Sequence, residues 1–318
     1  MISDDEDDRR NAAIICCNGD HLPFASMVLF LMDYHNPDRN FDLVLCASEP
    51  LELPAILQRI GVKLVLFSPT RIQSLSTKKL PTDAYLRLWL AKQLGAEYRR
   101  ILYLDTDIYI QGGDVGRLLN SNLGSHPLGA VLERPMWGRP NHHAKDFKSI
   151  GLNAAPYFNS GVLLVDTDQY NSRGVLEACL EVSEKYSDIL HYHDQSLLNI
   201  ALYKDWAQLH PIWNWQWATR KPILEPIASP YFVHFYGPKK PWLKNEKEVP
   251  RRYRDAYSAF LRREFSNFEP RMGDIESVVD TTRPDLKFLQ QAFSWLKFRN
   301  YFNSFEEPFN TISDRFSK

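Results

Sequence analysis

Two aspartates, Asp105 and Asp107, stand two residues apart where, within residues 100–110, a short apolar strand runs into acids. A strand turns residues i and i+2 to one side, so both carboxylates can face a single cation. An oxygen pair with open coordination positions suits Mg²⁺ or Mn²⁺ bridging to the phosphate oxygens of a substrate. The same spacing recurs at Asp5/Asp7 and at Asp166/Asp168, so it does not single out a site by itself. Context separates them. The first pair lies in an acidic N-terminal tail, and Asp166 sits between a strand and a helix, the place of an N-capping aspartate.

The 318 residues are 44% hydrophobic and 24% charged, which excludes disordered and fibrous classes and leaves material for a large core. Lys and Arg total 38 against 39 acids, so no global field draws the chain to nucleic acid. The longest apolar stretch, over 24–32, is interrupted by Ser26. It falls well short of the ~20 residues of a spanning helix. Residues 1–10 are acidic where a secretory leader would be basic and then apolar, and read as a mobile tail. Cys16, Cys17, Cys46 and Cys179 have no C-x-x-C spacing and sit mostly in apolar runs. Buried reduced thiols and a cytoplasmic location are expected.

The elements that must position the aspartates follow from periodicity. Apolar runs over 12–17, 41–47 and 62–67 alternate with helix-length segments over 24–34 and 54–60, the pattern of a parallel sheet with crossover helices. A helix is expected over 82–93 with Gly95 as its stop, a strand over 157–165, and a helix over 175–186. The stretch 205–242, with Trp206, Trp213, Trp215, Trp217 and Trp242 among prolines, predicts loops and short strands. Beyond a boundary near 245, helices are expected over 251–265 and 284–302 around a linker containing Gly273. In the second, Leu286, Leu289, Ala292, Phe293, Trp295 and Leu296 share a face, and residues 251–263 carry five arginines against one aspartate. Such helices either pack on a core or a second subunit, or lie on a membrane surface.

Downstream of Tyr103-Leu-Asp-Thr-Asp107 come, in order, Phe158-Asn-Ser-Gly161, His193-Asp-Gln-Ser-Leu-Leu-Asn199 and His234-Phe-Tyr-Gly-Pro-Lys-Lys-Pro-Trp242. Upstream lies Tyr85-Leu-Arg-Leu88. This ordered set resembles glycosyltransferase family 8, retaining nucleotide-sugar transferases that include lipopolysaccharide galactosyl- and glucosyltransferases and glycogenin. The resemblance spans about 12–245. It implies a GT-A type, Rossmann-like mixed sheet flanked by helices, with 246–318 as a helical extension. It also implies a uridine-diphosphate sugar donor, a glycan or lipid-linked acceptor, and Mn²⁺ (or Mg²⁺) as cofactor.

Carried over by position, the resemblance makes Asp105, Asp107 and His234 the metal ligands, with Asp105 also approaching the donor. Gly237 would admit the phosphates close to the backbone and Lys240 would place a charge on them. Gln195 would stand beside the anomeric carbon and Asp194 would bind sugar hydroxyls, although Asp194 also fits a helix N-terminus. Asn159 falls near the donor sugar, and Gly161 allows a tight backbone there. Arg87 would contact the donor, where a helical arginine is otherwise a surface charge. The family usually has an aspartate reading the nucleobase; here Asn18, or else Asp20, stands in its place. Same-face attack, with the leaving phosphate taking the acceptor proton, is the expected chemistry, and a covalent intermediate on Asp194 is its rival. Other readings are a glycogenin-like self-glucosylating protein, or a non-catalytic sugar-binding module using the Trp213–Trp217 rings.

Overall fold

The computed structural model describes residues 8–67, 85–186, 188–218, 224–244, 246–266, 268–269 and 284–312. The acidic tail through residue 7, the linker around Gly273 and the start of the helix expected from Thr82 lie outside them. Within the described residues the strands are, in chain order, β1 (Arg10–Cys16), β2 (Asp42–Ala47), β3 (Lys63–Leu66), β4 (Tyr98–Leu104) and β5 (Ile108–Ile110). They continue as β6 (Leu128–Leu132), β7 (Phe158–Asp166), β8 (Ala207–Gln208), β9 (Trp215–Gln216) and β10 (Phe232–His234).

β1, β2, β4, β6 and β7 are almost unbroken apolar runs, as strands covered on both faces must be. They form a seven-stranded mixed sheet ordered β3-β2-β1-β4-β7-β6-β8. β1 pairs in parallel with β2 (Cys16 opposite Cys46) and with β4 (Ile15 opposite Leu104), while β7 runs antiparallel to β4 and β6. Because β1 lies between β2 and β4, the chain winds outward in both directions from it. The carboxyl ends of β1 and β4 form the switch point of the sheet, and sheets of this kind bind ligands in the crevice at such a point. All four cysteines are buried and none is disulfide-bonded.

β5, β10 and β9 make a second, three-stranded sheet. Here the structure corrects one expectation. The run over 100–110 is not one strand: β4 ends at Leu104, Thr106–Asp107 form a turn, and β5 starts afresh in the other sheet. The carboxylates converge through this turn and not through a strand pleat. Its position is locked from both sides, since the Asp105 N–H donates to the Gly161 carbonyl (2.9 Å) and the Phe235 N–H to the Asp107 carbonyl (3.0 Å).

The C-terminal helices pack on this core. Helix Arg251–Glu264 buries Tyr253, Tyr257, Phe260 and Leu261, with Phe260 against Phe30 (5.4 Å between ring centroids) and Tyr253 against Tyr109 (5.0 Å). On helix Pro284–Phe302 the buried stripe is Phe298, Tyr301 and Phe302, clustered on Trp137; of the face anticipated, Trp295 joins it by packing on Phe302 (5.4 Å). Phe293 and Leu296 are 68% and 51% exposed, and the side chains of Leu286 and Leu289 lie outside the described residues. The i, i+3, i+4 stripe that finds Trp137 decides which way the helix faces. No helix among the described residues is long and apolar enough to cross a membrane.

Candidate active site

Asp105 follows β4, Asp107 precedes β5, and His234 ends β10, so the two sheets deliver one group of ligands. One ligand atom from each lies within 4.8 Å of the others. An ion bound at about 2.1 Å holds its ligand atoms some 3–4 Å apart, so the group is close to the size of one cation.

The finer geometry divides each carboxylate in two. Asp105 Oδ1 accepts from the Tyr103 hydroxyl (2.7 Å) and pairs with Arg87 Nη2 (2.9 Å). Its other oxygen, Oδ2, faces His234 Nε2 at 3.8 Å. Asp107 Oδ2 is taken by the Lys240 ammonium, which also donates to the Phe235 carbonyl (2.8 Å). Asp107 Oδ1 is buried and meets no hydrogen bond of good geometry among the described residues, although His234 Nε2 lies 3.1 Å away. A buried carboxylate oxygen left without a donor is costly. The residues present therefore fit a divalent cation: one clamped and one open oxygen on each aspartate, with an imidazole nitrogen facing the open pair.

The charges around this group are set by the same contacts. Burial raises the Asp107 carboxyl, but the Lys240 ammonium and the His234 ring outweigh it and hold Asp107 well below the usual carboxylate range. Arg87 is no surface charge; its side chain is 10% exposed. It spans Asp105 and Asp194 (Nε to Oδ2, 3.2 Å), donates to the Ser160 carbonyl (3.0 Å) and lies over the Tyr103 ring. Burial lowers the guanidinium's proton affinity, yet Asp105 and Asp194 carry it above the ordinary value. At Asp194 burial wins, raising the carboxyl although Arg87 and the Ser160 hydroxyl oppose it.

Asp194 and Gln195 occupy the first turn of helix His193–Ala201, so Asp194 is inside the helix and does not cap it. His193 takes a left-handed backbone (φ 55°), an uncommon conformation for a residue with a Cβ. The turn is held by Asp146, fully buried, which accepts from the Tyr157 hydroxyl (2.6 Å), the Ser196 hydroxyl (2.5 Å) and the His191 N–H (2.9 Å). Gln195 Oε1 accepts from Asn159 Nδ2 (3.2 Å) and the Ser160 N–H (3.1 Å). With both acceptor sites used, that oxygen is poorly placed to act as a nucleophile.

Gly161 is required for space and not for an unusual backbone. A Cβ there would meet His234 Cε1 at 2.2 Å and Asp105 Oδ2 at 3.0 Å. Gly237, at φ 83°, does need the left-handed region, and a Cβ on it would meet nothing within 4 Å. Asn18 lies just past β1 at the same sheet edge as Asp105; its side-chain oxygen accepts from the His21 N–H (3.2 Å). Asp166 does cap helix Thr167–Ser172 by accepting from the Gln169 N–H (2.9 Å), and Asp168 pairs with Arg9, so this second acidic pair is structural. Trp213, Trp215 and Trp217 are at most 4% exposed, which removes them as sugar-stacking rings.

Three further residues escape a reading by motif. Glu133, just past β6, lies against Gln195 and is pushed up to about 7 by burial, with the Asp146 charge adding to the effect. Asp146 sits in a short helix without any motif spacing. Asn214 is hidden among tryptophans in Trp213-Asn-Trp-Gln-Trp217, where the only sign was polar residues alternating with large apolar ones.

A mixed α/β sheet with an Asp–Asp–His cluster that could hold a cation at its switch point is the class these features define. The family model described as glycosyl transferase family 8 matches residues 13–246, and the chain belongs to that family. Among curated proteins it is 30% identical to lipopolysaccharide glucosyltransferase WaaO of Escherichia coli, over 59% of this chain and 57% of that protein. It is 28% identical to general stress protein A of Bacillus subtilis, over 56% of this chain and 64% of that protein. The chain thus spans roughly three fifths of the length of the curated relatives it matches. Among solved structures, the galactosyltransferase LgtC in complex with donor and acceptor sugar analogues superposes with a TM-score of 0.63 at 19% identity, covering 78% of this chain and 95% of that one. At that identity the likeness speaks for the fold.

Proposed function

We propose that this chain is a retaining hexosyltransferase, moving a hexose from a uridine-diphosphate sugar to a hydroxyl of a glycan or lipopolysaccharide acceptor. Mn²⁺, or Mg²⁺ in its place, would be held by Asp105 Oδ2, Asp107 Oδ1 and His234 Nε2. The observation that carries this reading is the division of the two carboxylates, each with one oxygen clamped by a cation and the other open toward the imidazole.

When bound, the divalent ion supplies Lewis-acid stabilisation of the departing diphosphate. The protein's own residues do the rest. Lys240, already beside Asp107, adds a second positive charge against the diphosphate, and Gly237 leaves the backbone open to it. Asn18 at the end of β1 is the nucleobase contact. Arg87 and Asn159 hold the donor side of the crevice, and Asp194 is available to sugar hydroxyls. Gln195 is immobilised by Asn159 and Ser160, so its amide is pre-oriented toward the anomeric carbon. The acceptor oxygen bonds to the anomeric carbon on the face from which the carbon–phosphate-oxygen bond breaks, and its proton passes to the released diphosphate. We favour this same-face course over a covalent intermediate on Asp194, whose Oδ2 is already shared by Arg87 and the Ser160 hydroxyl.

The divisions we assign are a donor-binding unit over 11–245 and a helical extension over 246–318. A cytoplasmic enzyme working at the membrane face is the context we favour. Exposed Phe293 and Leu296 on one helix, and the arginines of helix Arg251–Glu264 on the other, are the groups that would touch anionic lipid or a second copy. The test is a donor screen with Mn²⁺, scoring nucleoside-diphosphate release without acceptor and the rise in melting temperature. No release and no shift with any uridine-diphosphate hexose would remove the reading.

A further inference from the structure

We infer that Asn214 is a positioning residue for the metal centre: through a chain of amides anchored on the Gly161 backbone, it dictates which imidazole nitrogen of His234 faces the cation. The inference rests on the metal assignment above and adds the part of the site that lies behind its ligands.

A backbone N–H can only donate, and this fixes the first amide of the chain. The Gly161 N–H donates to Asn159 Oδ1 (3.1 Å). That end of the Asn159 amide is therefore its oxygen, and its NH₂ points the other way, to Gln195 Oε1 (3.2 Å). Gln195 Oε1 is independently an oxygen, because the Ser160 N–H donates to it (3.1 Å). Two backbone donors thus fix the orientation of both amides.

Asn159 Oδ1 has a second neighbour, Asn214, at 2.8 Å. An oxygen must be met by a donor, so the Asn214 group there is its NH₂ and the Asn214 oxygen faces the other way. It lies 3.0 Å from His234 Nδ1. Oxygen accepts only, so Nδ1 carries the hydrogen and Nε2 is the nitrogen left for the open oxygens Asp105 Oδ2 and Asp107 Oδ1. Asn214 is fully buried and His234 is 2% exposed, so water does not compete for these positions. Ligating histidines are held in this manner by an acceptor on the far ring nitrogen, and loss of such a partner commonly costs about 10–100-fold in metal affinity. Here a neutral amide takes the part, and its own direction is inherited from the Phe158-Asn-Ser-Gly161 turn.

The test uses full-length protein labelled with ¹⁵N at histidine. His234 is identified among the nine histidines by the signal missing from His234→Gln. In metal-free wild type, under alkaline conditions that keep the imidazoles neutral, Nδ1 should give a pyrrole-type and Nε2 a pyridine-type shift. Asn214→Ala should mix the two tautomers and weaken Mn²⁺ binding, followed by electron paramagnetic resonance of the free ion, by about 10–100-fold. Asn214→Asp keeps an acceptor toward Nδ1 and should restore the wild-type tautomer. The wild-type spectrum needs no variant to fold: an Nε2–H tautomer there, with Mn²⁺ still bound, overturns this inference alone. A wild type that shows the Nδ1–H tautomer yet binds no Mn²⁺, with or without uridine diphosphate, overturns the metal assignment and the role given to Asn214 with it. Unchanged tautomer and affinity in a folded Asn214→Ala would also overturn it.

Discussion

Gly161 and His234 are in such close apposition that one added methyl group on the glycine would lie 2.2 Å from the imidazole Cε1. The backbone of β7 forms the wall against which the ring stands, and the absence of a side chain is what allows the ring to stand there. The glycine in Phe158-Asn-Ser-Gly161 is thereby tied to a histidine more than seventy residues downstream.

Gly161→Ala should therefore act on the ion before it acts on the fold. Pushing the ring from its seat is expected to lower Mn²⁺ affinity by about tenfold or more, as a disturbed ligand geometry does. Overpacking should cost some 1–3 kcal/mol of stability. Calorimetric titration with Mn²⁺ beside a denaturant melt separates the two, and wild-type affinity in the variant would refute the packing argument.

Asp105→Ala and Asp107→Ala should each abolish Mn²⁺-dependent donor binding. Their side effects differ. The first strips Arg87 of its pairing with Asp105 and leaves it Asp194, the second leaves the Lys240 ammonium its bond to the Phe235 carbonyl and the Trp242 ring. Lys240→Ala should raise the Kd for uridine diphosphate more than that for Mn²⁺, and equal changes in both would contradict a phosphate-facing role.

Glu133 should introduce a pH dependence into stability. Its carboxyl sits at about 7 in the folded protein against an ordinary 4.5, because burial disfavours the charged form. Between those values the folded state holds a proton that the unfolded state has released. Stability from this group is thus complete below pH 4.5 and is lost as pH rises through 7. Glu133→Gln should flatten that limb in melts taken from pH 5 to 8, and an identical slope would show that the group ionises elsewhere.

Asp146→Ala should cost about 2–4 kcal/mol, since it leaves the Tyr157 and Ser196 hydroxyls and the His191 N–H without their buried acceptor. Because those donors fix the turn that carries Asp194 and Gln195, turnover should fall further than the donor's KM rises. A stability loss with unaltered kcat would limit Asp146 to a structural part.

Truncation after residue 248 should expose Trp137, Tyr109 and Phe30, which the C-terminal helices cover. The shortened chain is expected to aggregate or melt without cooperativity. A soluble truncated chain that binds donor would instead support an appended membrane-facing segment.

Much of this protein is written in its local sequence. The apolar runs of β1, β2, β4 and β7 report their own burial, because a central strand has no polar face to show. The ordered segments around Asp105, Asn159, Asp194 and His234 pointed to a family, and the structure brings these residues to one edge of the sheet. What sequence cannot carry is a relationship whose two halves lie far apart. The break of the 100–110 run into two sheets depends on β10, which pairs with β5 and pulls the chain away at Thr106. The burial of Arg87 depends on two carboxylates from other elements, and nothing in an amphipathic helix distinguishes that arginine from a surface one. Glu133, Asp146 and Asn214 bear no motif, since a hydrogen bond between distant segments leaves no spacing to read. Their roles arise only when packing removes water and each buried polar atom must find its partner inside the protein.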